Sequence, residues 1–269
     1  MPDDHRPSFR DLHHRAGAFI IPNPWDVGSA KILASMGFEA LATTSAGFAF
    51  SCGLKEGGVT PSAVLDHCRA IVEATSLPVS ADLEKGFGDP PEAVALTIRQ
   101  AAETGLAGAS IEDFSGDPRR PIFDLDLAVE RIAAAAEAAA ALDRDFVLTA
   151  RTENFLHGRP DLDDTIRRLQ AFDAAGADVV YAPGLRDLDQ IRTICEATSK
   201  PVNVIMGLPG VTSDVAQLAA AGVKRISVGS AFARLAYGEL IRAAREMRQA
   251  GTFSFAERAA GFEEIESHF

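Results

Sequence analysis

Short apolar runs alternate along the chain with longer segments whose apolar residues recur every three or four positions. Eight of the short runs read as strands, at residues 19–22, 40–44, 79–82, 109–112, 146–150, 179–182, 202–205 and 226–228. Each reads as continuous rather than alternating, as expected for parallel strands buried on both faces. The intervening segments predict helices, among them 92–104 opened by Pro90-Pro91, the Ala-rich 128–142, 162–175 and 211–221. Gly37, Gly105, Gly176 and Gly222 stand just past predicted helices, where a left-handed cap satisfies the last carbonyls. Pro78 and Pro201 head the third and seventh strands, where no ladder donor is yet needed.

Eight βα units without a linker predict one α/β domain over residues 1–269, a closed (β/α)8 TIM barrel. An open doubly wound sheet is the alternative, but its Gly-rich turn after the first strand is missing. An extra C-terminal helix is expected near 231–250, followed by a tail, 252–269. The tail carries Phe253, Phe255, Phe262 and Phe269, a density of aromatics that predicts docking rather than disorder.

Composition narrows the function. The 269 residues are 47% hydrophobic and 24% charged, enough apolar material for a large core. A formal charge of -12 with no basic stripe argues against a nucleic-acid partner. An anionic substrate remains compatible if the site supplies its own cations. The pairs Arg119-Arg120 and Arg167-Arg168 read as solvated surface, as do His13 and His14 ahead of the first strand. Cys52, Cys68 and Cys195 are too few and too scattered for a disulfide framework or a zinc knuckle, and Cys68 and Cys195 read as small buried hydrophobes in helices. With no apolar leader and no long apolar run, the expectation is a cytoplasmic protein with no membrane partner.

In a barrel the chemistry lies at the carboxyl ends of the strands. The third and fourth strands end in Asp82, Glu84, Glu112 and Asp113, four carboxylates that cannot all stay ionised together without a cation. Hard oxygen donors with no His or Cys beside them suit Mg2+ or Mn2+. Arg151, ending the fifth strand, suits bidentate capture of a carboxylate. Ser45, with the amides of Ala46 and Gly47, is placed to donate to a second anionic group, and Asn203 faces inward on the seventh strand. Taken singly, an Asp or Glu ending a strand is more often a helix cap or a rim ion pair than a site residue, and Arg151 could be the partner of Glu112 alone. The combination, with Gly86 and Gly88 loosening the intervening loop, leaves a site and a purely structural role equally open on spacing alone. His157, after Glu153-Asn154, lies on the same side.

Five segments resemble the isocitrate lyase/phosphoenolpyruvate mutase superfamily and occur in its order: Pro22-Asn23-Pro24-Trp25-Asp26, Thr44-Ser45-Ala46-Gly47, Asp82-x-Glu84-x-Gly86-Phe87-Gly88, Ile111-Glu112-Asp113 and Ala150-Arg151-Thr152. The resemblance implies a Mg2+ or Mn2+ ion held by Asp82, Glu84 and Glu112, largely through waters. It implies a small 2-oxo-carboxylate reacting through a metal-stabilised enolate, its oxygens held by Ser45, the neighbouring amides and Arg151, so that Asp82, Glu112 and Arg151 serve catalysis. It also implies a homodimer or homotetramer in which a C-terminal helix is exchanged and the tail docks on a partner subunit.

Departures from the family pattern shape the expected reaction. The loop from Phe114 to Phe123 lacks the Cys and His that serve the lyase branch as acid and base. Arg119 and Arg120 stand there instead, suited to neutralising a distal carboxylate or phosphonate but not to proton transfer. The second-loop acid is Glu56, and the sixth strand is followed by Ala182-Pro183-Gly184. Cys52 lies in the wrong loop and lacks a His partner. The expectation is a carbon–carbon lyase or decarboxylase. Phosphonomutase or phosphonopyruvate hydrolase chemistry, and a 2-oxo-acid binder without catalysis, are the alternatives.

Overall fold

All eight expected strands form, and all are parallel. In the computed structural model, which describes residues 8–269, they are β1 Phe19–Ile21, β2 Leu41–Ala42, β3 Val79–Asp82, β4 Gly108–Glu112, β5 Val147–Arg151, β6 Val179–Tyr181, β7 Val202–Ile205 and β8 Arg225–Ser227. Their order is β1-β8-β7-β6-β5-β4-β3-β2, with helices between, so the sheet is a (β/α)8 TIM barrel. The seam between β1 and β2 has no ladder. It is bridged by the Ala42 N–H donating to the Pro22 carbonyl at 3.0 Å. The Asn23 side chain completes the bridge: Nδ2 donates to the Thr43 carbonyl at 3.0 Å, and Oδ1 accepts from the Val228 and Gly229 N–H groups at 2.8 Å each.

The strands are not continuously apolar, which corrects the sequence reading. Ser80 and Asp82 alternate with Val79 and Ala81, and Ser110 and Glu112 with Ala109 and Ile111. Thr149 and Arg151, Asn203, and Arg225 and Ser227 repeat the pattern in β5, β7 and β8. The apolar set faces outward and joins the helices in the main core, with Ile111, Leu148, Val204 and Ile226 at most 3% exposed. The polar set lines the inside. The period of two in a strand makes this separation possible.

Local chemistry explains where elements start. The run expected at 40–44 pairs only over Leu41–Ala42, because Thr44 leaves the ladder to cap the helix Ser45–Ser51, its Oγ1 accepting from the Gly47 N–H at 3.3 Å. The helix expected at 211–221 is confined to Val215–Ala220, where Asp214 and Gln217 form a capping box.

The helix Phe9–His14 closes the amino end of the barrel. Phe9 and Leu12 pack with Phe19, Ile21, Val147 and Val179 in a second apolar cluster. His13 is buried in this floor, 2% exposed, rather than on the surface. The helix Ala231–Ala250 follows β8, and the tail continues as a short 3-10 helix, Ser254–Arg258, and the helix Phe262–Glu266. Arg258 pairs with Glu239 at 2.7 Å and His268 meets Ser35 at 2.7 Å, while Phe253, Phe262 and Phe269 stay exposed. Among the described residues no helix is long and apolar enough to cross a membrane.

Candidate active site at the carboxyl ends of the strands

A cavity of about 250 Å3 opens where β2 to β8 end. Arg151 lies at its centre of charge. β4 and β5 pair Glu112 directly with Arg151, and Nη1 of Arg151 lies 3.3 Å from Glu112 Oε2 and 3.4 Å from Asp82 Oδ1. Nε donates to Glu153, and the guanidinium sits 5.3 Å from the Tyr181 ring centroid. Burial alone would lower the Arg151 pKa, but Glu153, Glu112 and Asp82 hold it well above its ordinary value. Burial pushes the Glu112 carboxyl well above the usual carboxylate range, against the pull of Arg151.

Asp82 joins this group to the second loop. Its Oδ2 accepts from Ser45 Oγ at 2.8 Å and from the Ser45 N–H at 3.2 Å. The same hydroxyl meets Glu56 Oε1 at 3.0 Å, and Ala46 lines the cavity beside it. The Gly47 amide is engaged by Thr44. Asn203 lines the opposite side, with Nδ2 donating to Ser227 Oγ at 3.1 Å.

Glu84 occupies a left-handed backbone conformation, φ 51°, and Phe87 likewise, φ 59°. Such conformations cost about 1–3 kcal/mol in non-glycine residues and persist where the surroundings over-determine them. Here the Glu112 N–H donates to the Glu84 carbonyl at 3.0 Å, and the Glu84 N–H to Asp82 Oδ1 at 3.3 Å. Burial, with Asp82 and Glu56 nearby, raises the Glu84 pKa to about 7. The expected loosening by Gly86 and Gly88 is not found. A Cβ on Gly88 would lie 2.5 Å from the Ala93 Cβ, and one on Gly86 3.2 Å from Val94. Beneath them the buried Arg131 donates to the carbonyls of Lys85, Gly88 and Asp89, and its guanidinium lies 4.5 Å from the Phe123 ring centroid. These glycines allow close packing in a clamped loop.

Asp113 turns away from the other acids. It is 2% exposed, accepting from the Glu153 N–H at 2.8 Å, Thr152 Oγ1 at 2.9 Å and Arg168 Nη1 at 3.2 Å. Arg168 is therefore a buried strut rather than solvated surface, whereas Arg167 is exposed. The loop after Asp113 is folded on itself by a Phe114–Ile122 bridge and held by Lys85 Nζ donating to the Ser115 carbonyl at 2.8 Å. Arg119, its side chain 88% exposed, pairs with Asp117, and neither Arg119 nor Arg120 lines the cavity. His157 stacks on Phe114 at 3.8 Å behind Glu153, and Cys52 is exposed away from the cavity. Among the described residues no Cys or His lines the cavity.

Tyr181, Arg225, Ser227 and Arg234 also face this space and were not singled out from the sequence. For the three strand residues the alternation within β6 and β8 was the available signal. For Arg234, on the helix after β8, there was none.

The donors suit a hard divalent ion. Asp82, Glu84 and Glu112 offer oxygen donors, and burial, with neighbouring carboxylates adding to it, raises the proton affinities of Glu84 and Glu112, a cost that a bound cation would offset. Among the described residues no three acid, Cys or His side chains converge as a direct metal cage. An ion here would keep several waters, as Mg2+ commonly does.

Residues 9–248 match the family model described as phosphoenolpyruvate phosphomutase. The protein Rv1998c of Mycobacterium tuberculosis is 34% identical over 224 residues, 83% of this chain and 82% of that protein. The 2-methylisocitrate lyase of Escherichia coli K12 is 33% identical over 203 residues, covering 72% and 67%. The oxaloacetate decarboxylase of Pseudomonas fluorescens is 30% identical over 258 residues, covering 91% and 86%. A solved structure from Burkholderia cenocepacia J2315, described provisionally as a lyase/mutase, superposes with a TM-score of 0.94 at 57% identity, covering 98% of this chain and 94% of that one.

Proposed function

The chain belongs to the phosphoenolpyruvate phosphomutase family within the isocitrate lyase/phosphoenolpyruvate mutase superfamily, and from that premise we propose that it is a Mg2+- or Mn2+-dependent carbon–carbon lyase or decarboxylase of a small 2-oxo-carboxylate. One observation carries the choice of reaction: the cavity is lined by Arg151 and the carboxylates of Asp82 and Glu56 but, among the described residues, by no thiol or imidazole. Cleavage that leaves an enolate needs electrophilic stabilisation more than proton delivery to a leaving group. Tyr181, pushed up to about 12 by burial, is a poor acid near neutrality.

In this reading Asp82, Glu84 and Glu112 would hold the ion, which would supply Lewis-acid stabilisation of negative charge developing on the substrate. Arg151 fixes the substrate carboxylate, and its paired acids hold the guanidinium still. Ser45 and the Ala46 amide orient the substrate from β2, and Asn203 from β7. The P. fluorescens relative, a decarboxylase by name, supports this reading. Carbon–phosphorus chemistry is the second reading, favoured by the matched family model. We further propose a homodimer or homotetramer assembled through the C-terminal helix and the tail, with Phe253, Phe262 and Phe269 covered by the partner.

The test is release of pyruvate, or its homologue, from a panel of 2-oxo-acids and phosphonates, with Mg2+ and with chelator. Carbon dioxide or aldehyde as co-product supports the lyase reading, and phosphate the second. Absence of turnover across the panel, with oxalate still bound, would leave a binding protein.

A further inference from the structure

Three acids hold Arg151, and they are not equivalent. Asp82 and Glu112 share Nη1 at 3.4 and 3.3 Å, and both belong to the set proposed to hold the ion. Glu153 takes Nε instead, through Oε1. It is 1% exposed and lies outside the cavity lining, so its carboxylate serves Arg151 rather than a ligand. In a planar guanidinium the direction of the Nε–H fixes the direction of both Nη groups. The bearing of Arg151 in the cavity is therefore set by the Glu153 carboxylate.

A carboxylate bound at one oxygen can still turn, because the terminal torsion of Glu is broad and roughly two-fold. Here the second oxygen is met as well: Glu153 Oε2 lies 3.5 Å from His157 Nε2. The Leu156 and His157 N–H groups donate to the Glu153 carbonyl at 3.0 and 3.1 Å. This turn brings the imidazole, four residues on, beside the carboxylate. Phe114 holds the imidazole in turn, with ring centroids 3.8 Å apart and planes within 8° of parallel. Phe114 is fixed by its bridge to Ile122 and by the preceding Asp113, which accepts from the Glu153 N–H at 2.8 Å. His157 itself does not line the cavity. It stands between a loop and a buried acid, touching both.

We infer that His157 is a positioning residue for the reaction: it fixes the plane of the Glu153 carboxylate and, through it, the bearing of the Arg151 guanidinium. Phe114 fixes the imidazole plane. The loop from Phe114 to Phe123 thereby takes part in setting Arg151 without bringing an acid or a base into the cavity. Such support from behind keeps a binding group at its productive angle before the substrate arrives. The inference rests on the proposed reading of Arg151 as the anchor of the substrate carboxylate.

The experiment compares the full chain as wild type, His157→Phe and His157→Gln. Phe keeps a ring to stack on Phe114 and removes the contact with Glu153. Gln removes the ring and keeps a polar NH2 group near the place of Nε2. The His157 side chain is 29% exposed, so both variants should fold, which thermal melts check. Each is read in two ways. One is the Arg151 Nε–H signal in a proton–nitrogen correlation spectrum without ligand, identified by its loss in Arg151→Lys. The other is calorimetric titration of oxalate in Mg2+. His157→Phe should shift the Arg151 signal, speed its exchange with solvent and weaken oxalate about fivefold or more, the size of one lost polar contact. His157→Gln should keep the signal near its wild-type position and oxalate within about twofold. If Gln is damaged and Phe is not, His157 only packs Phe114 and the inference falls. It falls equally if both variants are damaged alike, or if neither moves the Arg151 signal. Failure of wild type to bind oxalate would sink the anchor reading instead, while the Arg151 signal would still decide whether His157 sets the guanidinium.

Discussion

His13 and Arg225 meet inside the barrel floor, with Nε2 of the imidazole 3.3 Å from Nη1 of the guanidinium. The other ring nitrogen, Nδ1, lies 2.8 Å from the Phe9 carbonyl and must carry the proton, because that carbonyl can only accept. Nε2 is thereby left as the acceptor for Arg225. The pair joins the helix Phe9–His14 to β8, so the last turn of that helix supports the residue that supports Asn203.

This contact predicts how stability depends on pH. Burial, and then the charge of Arg225, lower the His13 pKa from 6.5 to about 3. As pH falls below about 6.5 the unfolded chain takes up a proton that the folded chain refuses until about pH 3. The contribution is therefore fully present above pH 6.5 and is lost progressively below it. Denaturant titrations at pH 7 and pH 4 should differ by about 3 kcal/mol on account of this residue. His13→Gln should flatten the dependence, leaving the smaller slope from His67, which burial lowers to about 4. An unchanged pH profile in His13→Gln would show that His13 is not held neutral.

Glu84 should illustrate a conflict between folding and ion binding. Its φ of 51° suits Asn or Gly better than Glu. Glu84→Asn should raise stability by about 1 kcal/mol through relief of strain and like-charge repulsion. The same substitution should weaken Mg2+ binding by calorimetry. A loss of stability would mean that the conformation is not strained.

Arg131 is expected to matter as much as any residue that touches substrate. It satisfies three carbonyls of the loop after β3 and underlies Phe123 at the end of the next loop. Arg131→Met should cost about 3–5 kcal/mol, because several buried acceptors lose their donors. Ion affinity should fall with it, since the Glu84 backbone would no longer be held. Thermal melts and Mn2+ titrations read both effects.

Thiol reagents should leave turnover intact. Cys52 is exposed and will react, but no cysteine lines the cavity. Iodoacetamide labelling located by mass spectrometry, alongside the pyruvate-release assay, tests this. Inactivation that substrate prevents, mapped to Cys52, would restore a cysteine-dependent lyase.

Much of this was legible in the sequence, for identifiable reasons. Strand number and order follow from the apolar runs and Gly-capped joints, which are local signals. Asp82, Glu84, Glu112 and Arg151 end strands, and chain order alone puts their strands side by side. What escaped was the direction of side chains. Reading β3, β4 and β5 as continuously apolar concealed the inward Ser80, Ser110 and Thr149, and with them Tyr181 and Arg225 opposite. Asp113 looked equivalent to Glu112, but a strand turns successive residues to opposite faces, and Asp113 went to Arg168. Arg168 looked like surface because its partner lies 55 residues away. Arg234 has no sequence signature, since its place beside the cavity comes from the start of the helix after β8 lying at the barrel mouth.

The bridged seam between β1 and β2 has a consequence for how the barrel breathes. Seven of the eight strand junctions are zipped by ladders, and this one hangs on a single main-chain link and one amide side chain. The Ala42 amide hydrogen, which bonds across this seam, should therefore exchange with solvent faster than those of β4 and β5, where five consecutive residues pair. Asn23 holds the rims of β2 and β8 together, the same rims that present Ser45 and the wall carrying Arg225. A fluctuation that parts the seam would also separate the two ends of the cavity. A ligand that spans them would act as a clasp, slowing exchange at the seam more than elsewhere in the barrel.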